Sequence, residues 1–163
     1  TEDSPAAPPA LTAWRLPVED AVLSAPGLAA TLIQPGIVHG HGAGIPGDVI
    51  AGQNRLVGDG SQHWTTVHVD DIAALYALVV TQGAGLGRVI GVSGVNPTVR
   101  ELVSAVSADV VAESPEQTRA RLGDGFGGAL LLDQQATGAK ARSLGWKPAA
   151  PTLLEELTDG SYA

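Results

Sequence analysis

The chain has 163 residues, 44% of them apolar but only 4% aromatic, which is a one-domain length whose core must be built from Ala, Val, Leu and Ile and which excludes a disordered chain. The net charge is −8 and Lys140 and Lys147 are the only lysines, so no basic face exists to displace counterions and nucleic acid is set aside as a partner. The absence of cysteine excludes disulfides and zinc–thiolate sites. With no signal peptide and no apolar run near the roughly 18–20 residues that span a bilayer, no membrane partner and a cytoplasmic location are expected.

The sequence starts at Thr1 rather than Met, which reads as a processed or truncated start. Residues 1–13 are rich in Pro and Ala and read as loop. Residues 17–25 read as a short helix, with Pro17 tolerated in its first turn. The apolar run at 29–34, closed by Pro35-Gly36, reads as a buried strand, and 36–47 as a glycine-rich loop. Residues 48–55 read as a helix, with short strands at 56–57 and 64–69. Asp70 or Asp71 suits the N-cap of the apolar helix that follows. A strand at 88–93 leads to a helix over 99–107, opened by the capping box Thr98-x-x-Glu101. Residues 109–112 read as a strand, and Ser114-Pro115-Glu116-Gln117 opens another helix. Asp133 is read as the cap of a helix that stops at Gly145, and Thr152-x-x-Glu155 as the cap of the last. Tyr76 reads as core or interface, Tyr162 as loose, and Trp14 and Trp146 as packing anchors. Strands alternating with helices give an α/β layer architecture.

Four segments carry a family pattern in order. They are Gln34-Pro35-Gly36-Ile37-Val38-His39-Gly40, then Trp64 to Ala73 (WTTVHVDDIA), Gly91 to Leu102 (GVSGVNPTVREL), and the closing ARSLGWKPAAPTLLEEL. Together they resemble the C-terminal, substrate-side half of the extended short-chain dehydrogenases/reductases, the NAD-dependent epimerase/dehydratase group. The resemblance implies the C-terminal part of a Rossmann-like NAD(P)-binding fold, with helices packed on a partly parallel sheet. Residues 1–163 would form one domain, the dinucleotide-binding half would lie outside this chain, and NAD or NADP would be the cofactor.

The resemblance also assigns residues. Pro35, Gly36, Ile37 and Val38 fall where the family's backbone lies against the nicotinamide. His39 falls where the family commonly has a pocket-facing Tyr, which makes it a candidate for acid–base work. Its bland alternative, shared with His41, is a solvated loop histidine. His63 and Trp64 fall on the substrate side. Trp64 replaces the Arg with which nucleotide-sugar members bind diphosphate, which argues for a smaller, more apolar carbonyl or alcohol. The family's Tyr-x-x-x-Lys pair falls on Leu11 and Arg15. Leu exchanges no proton, and Arg stays charged but can hold a ribose or carboxylate. The Gly42–Gly47 stretch has a G-x-G-x-x-G spacing broken by Pro46 and reads as a substrate-side loop. His63, His68, Asp70 and Asp71 are close in sequence, but a regular strand puts His63 on the face opposite His68, so no metal site is expected.

Two functions follow. The chain is the substrate-side portion of an NAD(P)-dependent oxidoreductase or epimerase acting on a small molecule, completed by an upstream segment or a homo-oligomer. Alternatively, having lost the Tyr/Lys dyad, it is a non-catalytic NAD(P)- or metabolite-binding relative or a degenerate domain.

Overall fold

The structure is a computed structural model and describes residues 1–83 and 85–163. Two short parallel ladders form its frame. Strand β1 (Thr31–Pro35) pairs with β4 (Gly87–Gly91), and β2 (Ile37–His39) pairs with β3 (Thr66–His68). The ladders exchange chains at one place. Gly36 N–H donates to Gly91 O, and one residue later Ile37 N–H donates to Thr65 O. Ser93 N–H, just beyond β4, donates to Thr66 O. Only glycine fits at 36, because a Cβ there would stand 2.4 Å from Thr65 O.

Helices pack on both ladders. Helix α1 (Arg15–Ser24) lies against β1, and α3 (Val69–Gln82) packs against β1, β2 and β3. Two cores result. One gathers Ile50, Leu56, Trp64, Leu102, Leu130 and Leu153, around helices α4 (Val99–Val106) and α8 (Leu153–Thr158). The other joins Val67, Ile72, Leu75, Val89, Ala141 and Trp146 between α3, the strands and α7 (Ala139–Ser143). Helix α1 contributes no buried residue. Its outer side and the turn before it show Val18, Leu11 and Trp14 to solvent, so Trp14 is not the packing anchor the sequence suggested, whereas Trp146 is one.

The edges of the β1–β4 ladder differ. The even-numbered residues of β4 point away from β1. Lys140 Nζ donates to Leu86 O and Arg88 O, at 2.7 and 2.6 Å, and Ile90 N–H donates to Glu2 Oε1. Charged groups thus blunt that edge, a common protection of exposed strands. On its other side β1 has no strand neighbour among the described residues.

The three capping boxes are present, at Thr98, Ser114 and Thr152. Several expectations change. The cap of α3 is His68, not Asp70 or Asp71: its Nδ1 accepts from Asp70 N–H, and both aspartates fall in the first turn, where the helix dipole favours them. The loop after Pro35 continues as β2, because Ile37 finds a backbone partner in Thr65. Helix α2 is Ile45–Val49, not 48–55, with Pro46 in its first turn. Segments 56–57 and 109–112 are not strands; they meet through the single bridge Arg55–Val111. Between helix α5 (Pro115–Leu122) and α7 stands an unforeseen helix, α6 (Asp124–Leu130). Asp133 caps no helix; its carboxylate turns to His63.

Candidate functional site

Ligands of open α/β sheets bind beyond the carboxyl ends of the strands. At that end of β1 lies a cleft of about 450 Å³, lined by Thr12, Arg15, Glu19, Gln34, Pro35 and Gln134 among others. Pro35 ends the strand with no N–H to offer. Gln34 is held by Glu19, its Nε2 donating to Oε2 at 3.1 Å. The other neighbour of Glu19 is Arg88, 3.5 Å away, so that carboxylate is already matched. Arg15 opens α1, rests 5.6 Å from the centroid of Trp14, and makes no ion pair among the described residues. The cleft therefore presents an unpaired guanidinium, amides and a hydroxyl, a set that fits an anionic or hydroxylated ligand. Leu11 lies in the turn before α1 and Arg15 is its first residue, so the two do not share a helix face as a Tyr/Lys pair would.

Of the proposed cofactor wall, Pro35 lines this cleft. Gly36 makes the crossing between ladders, the side chains of Ile37 and Val38 pack against the two cores, and none of these three lines the cleft. A second cleft, of about 620 Å³, is lined by Asp59, Gln62, Glu113, Ser114, Arg119 and Asp133 among others. Its floor is anchored by Glu113. Arg121 donates to that carboxylate through Nε and Nη2 and, with Thr118, holds it below the usual carboxylate range against the effect of burial. Asp133 lines one cleft and Gln134 the other, so this pair forms a wall shared by both.

His63 bonds to both residues of this pair but lines neither cleft itself. Its N–H and its Nδ1 both lie 2.8 Å from Asp133 Oδ1, and the His63 backbone bond is the first cause of the depressed Asp133 carboxyl pKa. Gln134 N–H donates to His63 O. Trp64, next in sequence, is in the core at 2% exposure, with Nε1 donating to Leu130 O, and lines neither cleft. His39 is also inside, at 1% exposure, and neither ring nitrogen has a protein partner. It stacks edge-on against His68 and does not line either cleft. Burial, and secondarily His68, lower its pKa to about 4, so at neutral pH it is uncharged.

The C-terminus is fixed rather than loose. Gly40 N–H donates to Tyr162 Oη at 2.8 Å, that hydroxyl donates to Ala43 O, and Gly42 N–H donates to Ser161 Oγ at 2.7 Å. Ser161 in turn donates its N–H and its hydroxyl to Glu156 Oε2. Tyr76 is half exposed on α3. Neither tyrosine lines the cleft at the end of β1. The imidazoles of His39, His41 and His68 cluster near Asp70 and Glu156, but among the described residues no three such groups are placed to hold a metal. Glu19, Gln34 and Gln134 were not foreseen as cleft residues; Gln34, in the strand-end motif, carried a signal, and Thr12 adjoins the Leu11 position.

No family model matches the chain, and no curated protein matches it. Solved structures do. The human epimerase family protein SDR39U1 (isoform 2) with NADPH matches at a TM-score of 0.63 and 19% identity, over 80% of this chain and 48% of that one. UDP-glucose 4-epimerase of Thermus thermophilus with NAD matches at 0.62 and 20%, over 91% and 50%. DesIV, a dTDP-glucose 4,6-dehydratase from Streptomyces venezuelae with NAD and TYD bound, matches at 0.63 and 22%, over 88% and 46%. The chain thus has the fold of NAD(P)-dependent epimerases and dehydratases, a mixed α/β arrangement with helices on parallel strands, and it spans about half the length of the structures it matches.

Proposed function

We propose that this chain is the substrate-side portion of an NAD(P)-dependent oxidoreductase or epimerase, with the cleft at the end of β1 as the place where cofactor and substrate meet. The observation that carries the reading is the convergence of Arg15, Thr12, Gln34 and Pro35 beyond a parallel strand, in a fold shared with structures that hold NAD or NADPH. Bound there, NAD(P) would supply hydride chemistry, and Arg15 would hold its ribose or a carboxylate. The backbone of Gly36, Ile37 and Val38 would form the wall behind the ring. His63 and Gln134 would face a small carbonyl or alcohol. A buried Trp64 leaves no cation at its position for a diphosphate.

The dinucleotide-binding half is proposed to be a separate segment that adds a strand to the free side of β1 and covers the Trp14 stripe of α1. Parallel sheets are ordinarily buried on both faces, and no residue of β1 is here fully buried. Titration calorimetry with NADPH and NADH, on the chain together with whatever co-purifies, tests both ideas. Micromolar binding that Arg15→Ala weakens is the expected result; no heat with either nucleotide rejects the assignment.

A second reading has its own support. No phenol or ammonium lines the cleft, and Lys140 is committed to Leu86 O and Arg88 O. A relative that binds NAD(P) or a metabolite without turning it over fits that lining. Tight nucleotide binding with no oxidation or reduction of small carbonyls and alcohols would favour it.

A further inference from the structure

The ends of β2 and β3 bring an unusual set of groups together. His39 and His68 are direct partners in the ladder, with ring centroids 5.3 Å apart. His68 Nδ1 accepts from Asp70 N–H at 3.2 Å and so caps α3. An imidazole nitrogen that accepts carries no proton, so a neutral His68 must be the Nε2–H tautomer. That proton faces Glu156 Oε1, 3.5 Å away on α8. Asp70 Oδ2 lies 3.6 Å from the accepting nitrogen, and Asp70 Oδ1 lies 3.2 Å from Nε2 of the exposed His41. Asp71 faces the pair from α3 and is occupied by Ala149 N–H and Ala150 N–H. The ring of His68 is hemmed in by Gly40, where a Cβ would sit 2.5 Å from Nε2. Gly40 N–H is in turn the grip of Tyr162 on its loop.

We propose that His68 is an acid-operated switch that couples the start of α3 to the C-terminal strap. When the ring takes a second proton, that proton must go to Nδ1. The Asp70 N–H then loses its acceptor, and Nδ1–H turns to the Asp70 carboxylate instead. Nε2–H stays directed at Glu156, which gains an ion pair while still accepting from Ser161. The charged ring lies directly against Gly40, whose N–H Tyr162 holds, and through Glu156 it acts on Ser161, so both grips of the strap feel the change. His39 does not compete for the proton, since burial and its neighbour keep it neutral to about pH 4.

The test is a pH titration of the whole chain from 7.5 to 4.5 by nitrogen-15 NMR. At pH 7.5 the His68 ring should show the Nε2–H tautomer. On acidification the Asp70 and Gly40 amides should move together, with the midpoint of the His68 ring. A Nδ1–H tautomer at pH 7.5 overturns the switch, and so do amides that instead follow the ring of His41. His68→Asn keeps an acceptor for the cap and cannot titrate; in it the Asp70 and Gly40 shifts should disappear. If that variant does not fold, the His41→Asn chain serves, since its Asp70 and Gly40 amides should still follow His68.

Discussion

His39 and His68 occupy matching places on neighbouring parallel strands, and their rings meet at 86°. One caps a helix, and the ring nitrogens of the other have no hydrogen-bond partner among the described residues. A buried, unpartnered imidazole favours its neutral form, which gives a pH dependence with a definite sign. The folded-state pKa of His39, about 4, lies below its ordinary 6.5, so the unfolded chain binds more protons between those values. Its contribution to stability is therefore complete above pH 6.5 and lost as the pH falls toward 4, by about 3 kcal/mol at most. Urea midpoints between pH 7.5 and 4 should fall in this window, and His39→Phe should flatten the slope.

Gly36 carries the chain from one ladder to the other. Gly36→Ala would push a methyl group into the Thr65 carbonyl and Val92. A loss of about 1–3 kcal/mol is expected, as for other overpacked sites, read as a lower urea midpoint with an unchanged slope.

The Glu113 carboxylate is buried and shared by Arg121, Thr118 and the more distant Arg55. Arg121→Met should cost about 3 kcal/mol, because it strands a buried charge. The folded pKa of Glu113 lies below its ordinary value, so its contribution is present above that value and fades as the pH falls through the lowered one. The double variant Arg121→Met/Glu113→Leu should recover much of the loss in thermal unfolding, which a role of Arg121 independent of Glu113 would not allow.

If Arg15 grips a nucleotide, Arg15→Ala should weaken NADPH binding about tenfold or more, the typical effect of deleting one charge-assisted hydrogen bond. Arg15→Lys should restore part of it. Equal affinities in all three chains would remove Arg15 from the site.

Leu11, Trp14 and Val18 form an exposed apolar stripe, and Trp14 is 62% exposed. Changing Trp14 and Val18 to Ser should leave the urea midpoint within about 0.5 kcal/mol of the original, since neither is buried. The same change should lower the sedimentation-derived mass of any self-associated or complemented form.

What could be read in the sequence was local. Thr98, Ser114 and Thr152 cap their helices because the capping box needs only four adjacent residues. The Pro35-Gly36 stop and the apolar α3 were legible for the same reason. The cap of α3 was misjudged because Asp is the usual choice, whereas the ladder puts His68 at the first non-helical position. Helix α6 was hidden by three glycines in seven residues, which disfavour helix until packing on α5 decides. The cleft was legible at Pro35 and Arg15, the two lining residues that the family pattern assigned. Thr12 and Glu19, from α1 and the turn before it, meet Gln134 from far along the chain, and no local pattern announces such a meeting. The burial of Trp64 and His39 likewise belongs to the two cores and not to the motif that contains them.

The unequal edges of the β1–β4 ladder limit what this chain can build. A filament needs two different open sides, so that each added copy offers the next a fresh one. Here Lys140 and Glu2 hold outward backbone groups of Leu86, Arg88 and Ile90, whereas β1 has no strand on its other side among the described residues. A second copy that pairs its own β1 there uses up the opening of both. Growth through this sheet ends after one addition, giving a closed pair and not a fibre.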